Sequence, residues 1–271
     1  MGRITNQTVS AGASIGHRLI ANPTAQRKLF NSLRLRRPET EALLVDPNLA
    51  FLAFVAAHRT QSHSQILQDL WVRFELGDLR EGFFVEFGAT DGKTNSNTWI
   101  LENQFGWTGI LAEPNPVWHS ALHDNRNVAI DTRCVAAKSG ETVRFIATDS
   151  TDPELSGIAD FSAGRHFDSA RESGRELDIE TISLDDLLAQ YEAPAHIDYL
   201  SIDTEGSELE ILANFDLGAR SISLMSVEHN EATAGPIDAL LADHGLERVF
   251  PQYSQWDAWY VNRDLVASSA R

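Results

Sequence analysis

The chain has a single cysteine, Cys134, among its 271 residues. One cysteine cannot form an internal disulfide, and it cannot make a cysteine-rich metal centre alone. No stretch approaches 18 uninterrupted apolar residues, and the first residues lack the apolar segment of a secretory signal. These absences predict a soluble, cytoplasmic protein with no stable insertion in a membrane.

Acidic residues are absent from the first 37 positions. The basic residues there are Arg3, Arg18, Arg27, Lys28, Arg34, Arg36 and Arg37. The rest of the chain holds 15 of the 22 basic residues and all 39 acidic ones. Such an acidic body repels phosphate backbones, which argues against a nucleic acid as partner. The basic segment is interpreted as an arm that packs on an acidic partner subunit, as in a homodimer, or stays unpacked. Contact with a nucleic acid or a membrane surface is the alternative.

The chain also lacks the two common glycine-rich phosphate motifs, GxxxxGK[ST] and GxGxxG. In their place it has FFVEFGATDGKTNSN, residues 83–97, in which Gly88 and Gly92 flank Thr90. The spacing disfavours a nucleotide phosphate. An NAD-dependent oxidoreductase stays open as an alternative, because NAD enzymes share the acidic residue described below.

Hydrophobic periodicity divides the chain into an N-terminal extension, residues 1–75, and a domain of residues 76–271. The extension is predicted to be helical from about residue 23. In the domain, β-rich runs alternate with helical ones. The predicted strands are 83–87, 109–113, 128–136, 142–147, 178–182, 197–203, 222–228, 246–250 and 257–262. The predicted helices are 95–104, 115–123, 183–191, 207–213 and 235–244. This alternation predicts an α/β fold with a mainly parallel sheet flanked by helices. Residues 149–176 are polar and without periodicity. They are predicted to form a lid that closes over the bound substrate.

Carboxylates stand at the ends of four predicted strands. These residues are Glu86, Glu113, Asp203 with Glu205, and Glu228 followed by His229 and Asn230. Ligands of parallel sheets bind beyond the carboxyl ends of the strands. Carboxylates suit a ligand with positive charge and hydroxyl groups, and S-adenosylmethionine has a sulfonium, an ammonium and a ribose. Glu113 follows the glycine turn by about 20 residues, the usual place of a ribose-binding acid. The pattern therefore favours S-adenosylmethionine as cofactor.

Six motifs in order resemble the FkbM family of S-adenosylmethionine-dependent methyltransferases. They are FFVEFGATDG, SNTWILE, GWTGILAEPNP, SG, YLSIDTEGSELEIL and VEHN. SQILQD at 64–69 is similar to an SQxGQD element of the family, with Leu67 where glycine is common. The resemblance covers roughly residues 60–262. It implies a class I methyltransferase (Rossmann-like) fold with a seven-stranded sheet whose last strand is antiparallel. It also implies an O-methyltransferase acting on a sugar, oligosaccharide, polyketide or similar small molecule.

The resemblance implies a set of cofactor contacts as well. The methionine part would be surrounded by the glycine turn of Glu86, Gly88, Ala89 and Asp91. Further cofactor contacts would come from Gln65, Ser96 and Asn97. The ribose would be bound by Glu113, Pro114 and Asn115, and the adenine would lie near Ala136 and Ala137. Asp203 and Glu205 would face the sulfonium and the acceptor.

A hydroxyl acceptor must lose a proton during methyl transfer, and the sequence offers two ways to achieve this. His229 is the predicted general base, with Asp203 and Glu205 as the other catalytic residues. Alternatively, Asp203, Glu228 and Asn230 hold Mg²⁺. Structural roles stay open too: His229 as a hydrogen-bonded structural histidine, and Asp203 and Glu205 as helix caps. A non-catalytic cofactor-binding module is the remaining alternative.

Overall fold

The computed structural model describes residues 22–36, 38, 45–148, 156–159 and 174–269. It divides into two compact units, Met1–Phe54 and Val55–Arg271. This boundary lies earlier than the one expected after residue 75. Among the described residues, no helix combines the length and hydropathy that crossing a bilayer requires.

The helices of the N-terminal region begin at side-chain caps. Helix α1 (Pro23–Arg34) follows Asn22, whose Oδ1 accepts hydrogen bonds from the amides of Thr24 and Ala25 at 2.9 and 3.2 Å. Helix α2 (Pro47–His58) follows Asp46, which accepts from the amide of Asn48 at 2.8 Å. In both helices proline occupies the first position, where its missing N–H leaves no bond unmade.

The described elements of the second unit follow one another along the chain. The helices are α3 (Gln68–Leu76), α4 (Trp99–Phe105), α5 (His119–Asn125), α6 (Leu184–Gln190), α7 (Glu208–Asn214), α8 (Ala234–Ala242) and α9 (Arg263–Ser269). The strands are β1 (Phe83–Phe87), β2 (Thr108–Ala112), β3 (Ala129–Asp131), β4 (Cys134–Ala136), β5 (Thr142–Ala147), β6 (Gly157–Ile158), β7 (Arg175–Ser183), β8 (His196–Ile202), β9 (Ser221–Glu228), β10 (Glu247–Val249) and β11 (Asp257–Val261). The strands β1 and β5 have the predicted bounds, whereas β6 and α9 were not predicted.

Seven of the described strands form one sheet, in the order β10-β11-β9-β8-β1-β2-β3. Neighbouring strands from β9 to β3 pair in parallel, and β11 runs antiparallel to both β9 and β10. The expected seven-stranded, mainly parallel sheet with an antiparallel last strand is therefore confirmed. The central strands β8 and β9 are buried along nearly their whole length, as strands covered on both faces must be.

Helix α3 packs directly on this sheet. Trp71 stacks on Trp259 of β11 with ring centroids 5.1 Å apart, and it meets Tyr199 of β8 edge-on at 6.2 Å. Large aromatic side chains contribute most to a core of this kind. The helical segment after residue 55 is thus an integral part of the unit that carries the sheet.

The predicted strand 128–136 is wrong as a single strand, because the chain turns at Thr132 and Arg133. Arg133 donates to the carboxylate of Asp131 from its backbone amide at 2.8 Å and from its guanidinium at 2.5 Å. Strand β3 stays in the main sheet, while β4 joins a separate four-stranded sheet of order β4-β7-β5-β6. The local ion pair fixes the turn that separates the two sheets.

Most of the predicted lid, 149–155 and 160–173, lies outside the described residues, so the lid stays a prediction. Its described part begins at Ser156, whose Oγ accepts hydrogen bonds from the amide of Thr148 and from Nδ2 of Asn115, both at 3.0 Å. These bonds tie the start of β6 to the loop after β2.

Candidate active site

The site begins where the carboxyl ends of β1 and β8 meet. Gly88 follows β1 with a φ of 72°, and a Cβ added there would lie 2.3 Å from the carbonyl oxygen of Asp203. Its amide donates to the carbonyl of Ala112 at 3.0 Å. Only glycine combines this backbone conformation with so close an approach. Gly88 and the buried Ala89 therefore bring the loops after β1, β2 and β8 together.

The carboxylate of Glu113 is buried beside this turn. It accepts hydrogen bonds from the amides of Thr90 and Asn115, each at 2.8 Å. Burial raises the pKa of Glu113 from its ordinary value of 4.5 to about 7, although the two backbone bonds act in the opposite direction. Each carboxylate oxygen can accept a second hydrogen bond. Glu113 thus keeps the capacity to accept further hydrogen bonds from a ligand.

Glu86 at the end of β1 has its own counter-charge. Its oxygens accept from the amide of Asn97 at 2.7 Å and from the hydroxyls of Thr98 and Ser96 at 2.5 and 3.2 Å. The guanidinium of Arg126 lies 3.6 Å away, and both side chains are almost wholly buried. A buried carboxylate needs such compensation. Glu86 therefore anchors the loop after β1 without requiring a ligand charge.

Arg126, at the end of α5, fixes the loop after β1 through hydrogen bonds. It donates to the carbonyl of Gly92 at 3.1 Å, to Oγ1 of Thr98 at 2.8 Å and to the carboxylate of Glu102 at 2.5 Å. No sequence pattern singles out Arg126, because a buried arginine looks like any other basic residue until its partners are assembled around it.

Two of the predicted cofactor residues make local bonds within this loop. Asp91 accepts from the amides of Lys93 and Thr94 at 2.8 and 2.7 Å. Ser96 accepts from the amide of Trp99 at 3.1 Å, at the start of α4. Both side chains shape the loop between β1 and α4.

Two asparagines were predicted to contact the cofactor. Asn97 is 8% exposed, and its Nδ2 donates to Oγ of Ser201 at 3.0 Å. Asn115 is buried, and its Oδ1 accepts from the amide of Val117 at 3.2 Å. Pro114 and Ala136 are half-buried at the ends of β2 and β4. The structure thus places these predicted contacts around the carboxyl edge of the strands.

The SQILQD element reaches the site from the N-terminal side. Gln65 itself is exposed, but Ser64 forms a bridge with Asn95 of the glycine-containing loop. Leu67 has a φ of 69°, the left-handed conformation that glycine adopts most easily, so the backbone takes the path expected of the family's glycine. Gln68 donates from Nε2 to Oδ2 of Asp257 at 2.8 Å.

Three carboxylates gather at the ends of β8 and β9. Oxygens of Asp203, Glu205 and Glu228 all lie within 4.8 Å of one another. Burial raises the pKa of Asp203 well above its ordinary value, and the charges of Glu228 and Glu205 raise it further. Three such oxygens could ligate one divalent cation. The sequence-predicted Asp203, Glu205 and Glu228 are therefore brought together.

Asp257 is a fourth carboxylate at this edge, and it was not predicted. It lies opposite Glu228 in the antiparallel β9–β11 ladder, and burial raises its pKa to about 7. A signal for it existed in the sequence. The first residue of an antiparallel last strand must lie at the edge where the parallel strands end.

Asn230, a predicted metal ligand, makes local bonds in a turn. Its Oδ1 accepts from the amides of Ala232 and Thr233 at 2.9 and 3.1 Å, in the turn that precedes α8. The predicted set of Asp203, Glu228 and Asn230 stays a prediction, and Glu205 lies close to two of its members.

The loop after β8 is stabilised by Glu208. Its Oε1 accepts from the amides of Thr204 and Gly206 at 3.1 and 2.7 Å. Glu208, the first residue of α7, thus makes bonds of the capping kind considered for Asp203 and Glu205.

His229 is held by an arginine. Nη2 of Arg248 donates to Nε2 of His229 at 2.9 Å, so this nitrogen accepts and carries no proton. Burial and the positive charge of Arg248 lower the pKa of His229. Arg248 is fixed in turn by Asp238 at 3.2 Å. These contacts favour the structural alternative for His229 over the role of general base.

Comparison with known proteins adds an independent observation. A model of the methyltransferase FkbM domain matches residues 86–248, more than half of the chain. No curated protein matches. The structure is similar to that of precorrin-6y C5,15-methyltransferase from Geobacter metallireducens GS-15, with a TM-score of 0.36 and 14% identity over 66% of this chain and 72% of that one. It is also similar to the human methyltransferase 10 domain containing protein, with a TM-score of 0.37 and 10% identity over 80% of this chain and 96% of that one.

Proposed function

Since this chain belongs to the FkbM methyltransferase family, we propose that it transfers the methyl group of S-adenosylmethionine to a hydroxyl oxygen of a small acceptor, with a sugar or oligosaccharide as the favoured class. The observation that carries this proposal is the approach of two carboxylate-bearing loops. Gly88 brings the loop after β1 against Asp203, while Glu113 lies on the other side of the same turn. Glu113 can bind the ribose of a cofactor, and Asp203 can receive a proton.

The chemistry of the residues fits S-adenosylmethionine. The cofactor supplies an electrophilic methyl group bound to a positively charged sulfur. Glu113 would accept hydrogen bonds from its ribose hydroxyls, next to Pro114 and Asn115. Gly88 and Ala89 would leave room for the methionine part, and Ala136 would lie near the adenine. Glu86, Asp91 and Ser96 would act by shaping the loop between them, since their oxygens already bond to it.

The carboxylate cluster supports a hydroxylated acceptor. Asp203, Glu205 and Glu228 can each accept hydrogen bonds from hydroxyl donors, which a sugar offers in number. We assign to Asp203 the role of taking the hydroxyl proton as the new carbon–oxygen bond forms. A carboxylate with a raised pKa is a stronger base, and a sulfonium nearby favours its ionised form. This assignment replaces His229, whose Nε2 is engaged by Arg248.

A divalent cation offers a second way to remove the proton. Mg²⁺ bound by Asp203, Glu205 and Glu228 would polarise the acceptor hydroxyl directly. The spacing of these oxygens, within 4.8 Å of one another, supports this alternative as well as direct proton transfer. Chelation of the metal separates the two.

The experiment is a screen of mono- and oligosaccharides with methyl-labelled S-adenosylmethionine, run with and without EDTA. We expect labelled methyl ether product that persists in EDTA if Asp203 acts alone. Asp203→Asn should lower kcat by about 10²–10⁴-fold. Transfer only to amines or carbon atoms in a wider acceptor set would contradict the hydroxyl acceptor.

Two alternative functions are distinguished by measurements of ligand binding and methyl transfer. An NAD-dependent oxidoreductase would bind NAD in calorimetry, whereas we expect S-adenosylmethionine and S-adenosylhomocysteine to bind and NAD not to. A non-catalytic module would bind the cofactor but transfer no methyl group to any acceptor. Glu113→Ala should abolish cofactor binding whether or not the protein is catalytic, because it removes the carboxylate that accepts hydrogen bonds from the ribose.

We also propose a homodimer in which the basic N-terminal segment contacts the acidic body of a partner subunit. Arg27, Lys28, Arg34 and Arg36 are exposed on and after α1, and no acidic residue accompanies them in the first 37 positions. Sedimentation should show a dimer that dissociates as salt screens these charges. A monomer at low salt would contradict the proposal.

A further inference from the structure

A serine, a histidine and an aspartate are linked by short contacts at the amino ends of β8 and β9. Nδ1 of His196, the first residue of β8, lies 2.9 Å from Oγ of Ser221, the first residue of β9. Nε2 of the same ring lies 3.3 Å from Oδ1 of Asp198. The length of β8, about 20 Å, separates this group from Asp203. It is therefore distinct from the site at the carboxyl ends of the strands.

The carboxylate of Asp198 determines which ring nitrogen carries the proton. A carboxylate only accepts hydrogen bonds, so Nε2 of His196 donates and Nδ1 of the neutral ring accepts. Asp198 is fixed in turn, because its Oδ2 accepts from the backbone amide of Phe83 at 2.8 Å. Oγ of the buried Ser223 lies 3.3 Å from Nε2 and offers its proton a second acceptor. The basic nitrogen of the ring therefore faces Ser221.

The hydroxyl of Ser221 finds its acceptor in this nitrogen. A competing oxygen, the carbonyl of Ala195, lies 3.5 Å away and already accepts from the amide of Ser221 at 3.0 Å. The shorter distance of 2.9 Å favours a hydrogen bond from the hydroxyl to Nδ1 of His196. Ser221 and His196 are both partly exposed, so a molecule from solvent can reach the pair.

A pocket beside the serine can receive part of a substrate. Its volume is about 190 Å³, and Ser221 lines it together with the apolar side chains of Leu217, Ile222, Leu246 and Leu265. Sites for drug-sized ligands enclose roughly 300–1,000 Å³, so this pocket suits a small apolar group such as a short acyl chain.

Arg220 lines the same pocket and supplies hydrogen-bond donors. Its Nη1 donates to the carbonyls of Ala193 and Pro194 at 2.7 and 2.8 Å, and these bonds fix the position of the guanidinium. The N–H groups on Nε and Nη2 are further donors of the same side chain. Donors held in place in this way stabilise an oxygen that gains negative charge when a carbonyl group is attacked.

We propose that Ser221, His196 and Asp198 hydrolyse an ester of a short-chain carboxylic acid at this pocket, an activity separate from methyl transfer. Oγ of Ser221 attacks the carbonyl carbon of the ester while Nδ1 of His196 takes the hydroxyl proton. The bond from that carbon to the alcohol oxygen then breaks, and the alcohol leaves with the proton from Nδ1.

Water completes the reaction. It attacks the acyl group on Ser221 and gives one proton to Nδ1 of His196, which passes the proton to Oγ as the carboxylic acid leaves. Asp198 holds the ring and balances its positive charge in both steps, and Arg220 stabilises the oxyanion.

The experiment measures hydrolysis of p-nitrophenyl acetate and p-nitrophenyl laurate without S-adenosylmethionine. The wild-type chain should hydrolyse the acetate faster than buffer alone, and the laurate at the buffer rate because its chain is too long for the pocket. Ser221→Ala should lose the activity, and His196→Gln should lower kcat by about 10²–10⁴-fold. Ser139→Ala is the matched control, because Oγ of this exposed serine accepts from the amide of Ser183. It should hydrolyse the acetate as the wild type does.

A fluorophosphonate probe keeps the test decisive if Ser221→Ala does not fold, since it needs only the wild-type chain. The probe bonds to the oxygen of an activated serine and releases fluoride. We expect mass spectrometry to find it on Ser221 and not on Ser139, and we expect His196→Gln to lose the label.

Three results would overturn the assignment: acetate hydrolysis at the buffer rate, hydrolysis that persists in Ser221→Ala, or no probe on Ser221. Equal rates for the two esters would overturn the short-chain substrate. The assay contains no methyl donor, so its outcome is independent of the proposed function.

Discussion

Replacement of Glu113 by glutamine tests the electrostatic account of the site most simply. The variant keeps the size of the side chain and removes its charge. Burial raises the pKa of Glu113 from 4.5 to about 7. The folded state therefore binds this proton more tightly than the unfolded state. The stability that the protonated group contributes is complete below pH 4.5 and is lost as the pH rises through about 7.

The magnitude follows from the difference between the two pKa values. Each unit corresponds to about 1.4 kcal/mol, so the full loss is roughly 3 kcal/mol, of which roughly 2 to 3 kcal/mol falls between pH 5 and pH 8. Glutamine does not titrate. Its NH₂ group would face the amide of Thr90 or Asn115, which adds a destabilisation that does not depend on pH.

Urea unfolding at pH 5, 6, 7 and 8 measures this effect, followed by tryptophan fluorescence from the stacked Trp71 and Trp259 of the sheet-bearing unit. The free energy of unfolding of Glu113→Gln, relative to the wild type, should rise by roughly 2 to 3 kcal/mol between pH 5 and pH 8. Parallel pH profiles for the two proteins would refute the reasoning, whatever the constant offset between them.

Three other substitutions probe the remaining parts of the site. Gly88→Ala should destabilise the fold by about 3 kcal/mol and abolish binding of S-adenosylhomocysteine in calorimetry, because the new Cβ would lie 2.3 Å from the carbonyl of Asp203; binding at wild-type affinity would contradict this. Arg126→Met should cost about 3 to 5 kcal/mol in urea unfolding, since it leaves Glu86 buried without its counter-charge, and a loss below about 1 kcal/mol would contradict this. His229→Gln should keep kcat within about threefold in the methyl-transfer assay, in contrast to a general base, whose removal lowers rates about 10²–10⁴-fold.

Much of the sheet was accessible from the sequence because parallel strands carry a simple signal. Buried β-rich runs followed by carboxylates predicted β1, β2, β8 and β9, and with them the edge where Glu113, Asp203 and Glu228 lie. Local spacing sufficed for these residues because the ends of parallel strands converge on one edge. The bounds of β1 agree with the prediction for the same reason.

What the sequence did not reveal depends on contacts between distant segments. Arg248 reaches His229 only because β10 and β11 form a hairpin beside β9. Arg126 lies near Glu86 only because both side chains bond to the loop after β1. The break between β3 and β4 depends on the ion pair of Asp131 and Arg133. In each case a charged residue gains its role from a partner that periodicity cannot locate.

The central claim is that S-adenosylmethionine binds at the carboxyl ends of β1, β2 and β8 through Glu113. Calorimetry of the wild-type chain and of Glu113→Ala with S-adenosylmethionine tests it most directly. We predict saturable binding to the wild type at one site per chain and no detectable binding to the variant at the same concentrations, with circular dichroism showing that the variant is folded. Equal binding by the two proteins, or none by the wild type, would contradict the account.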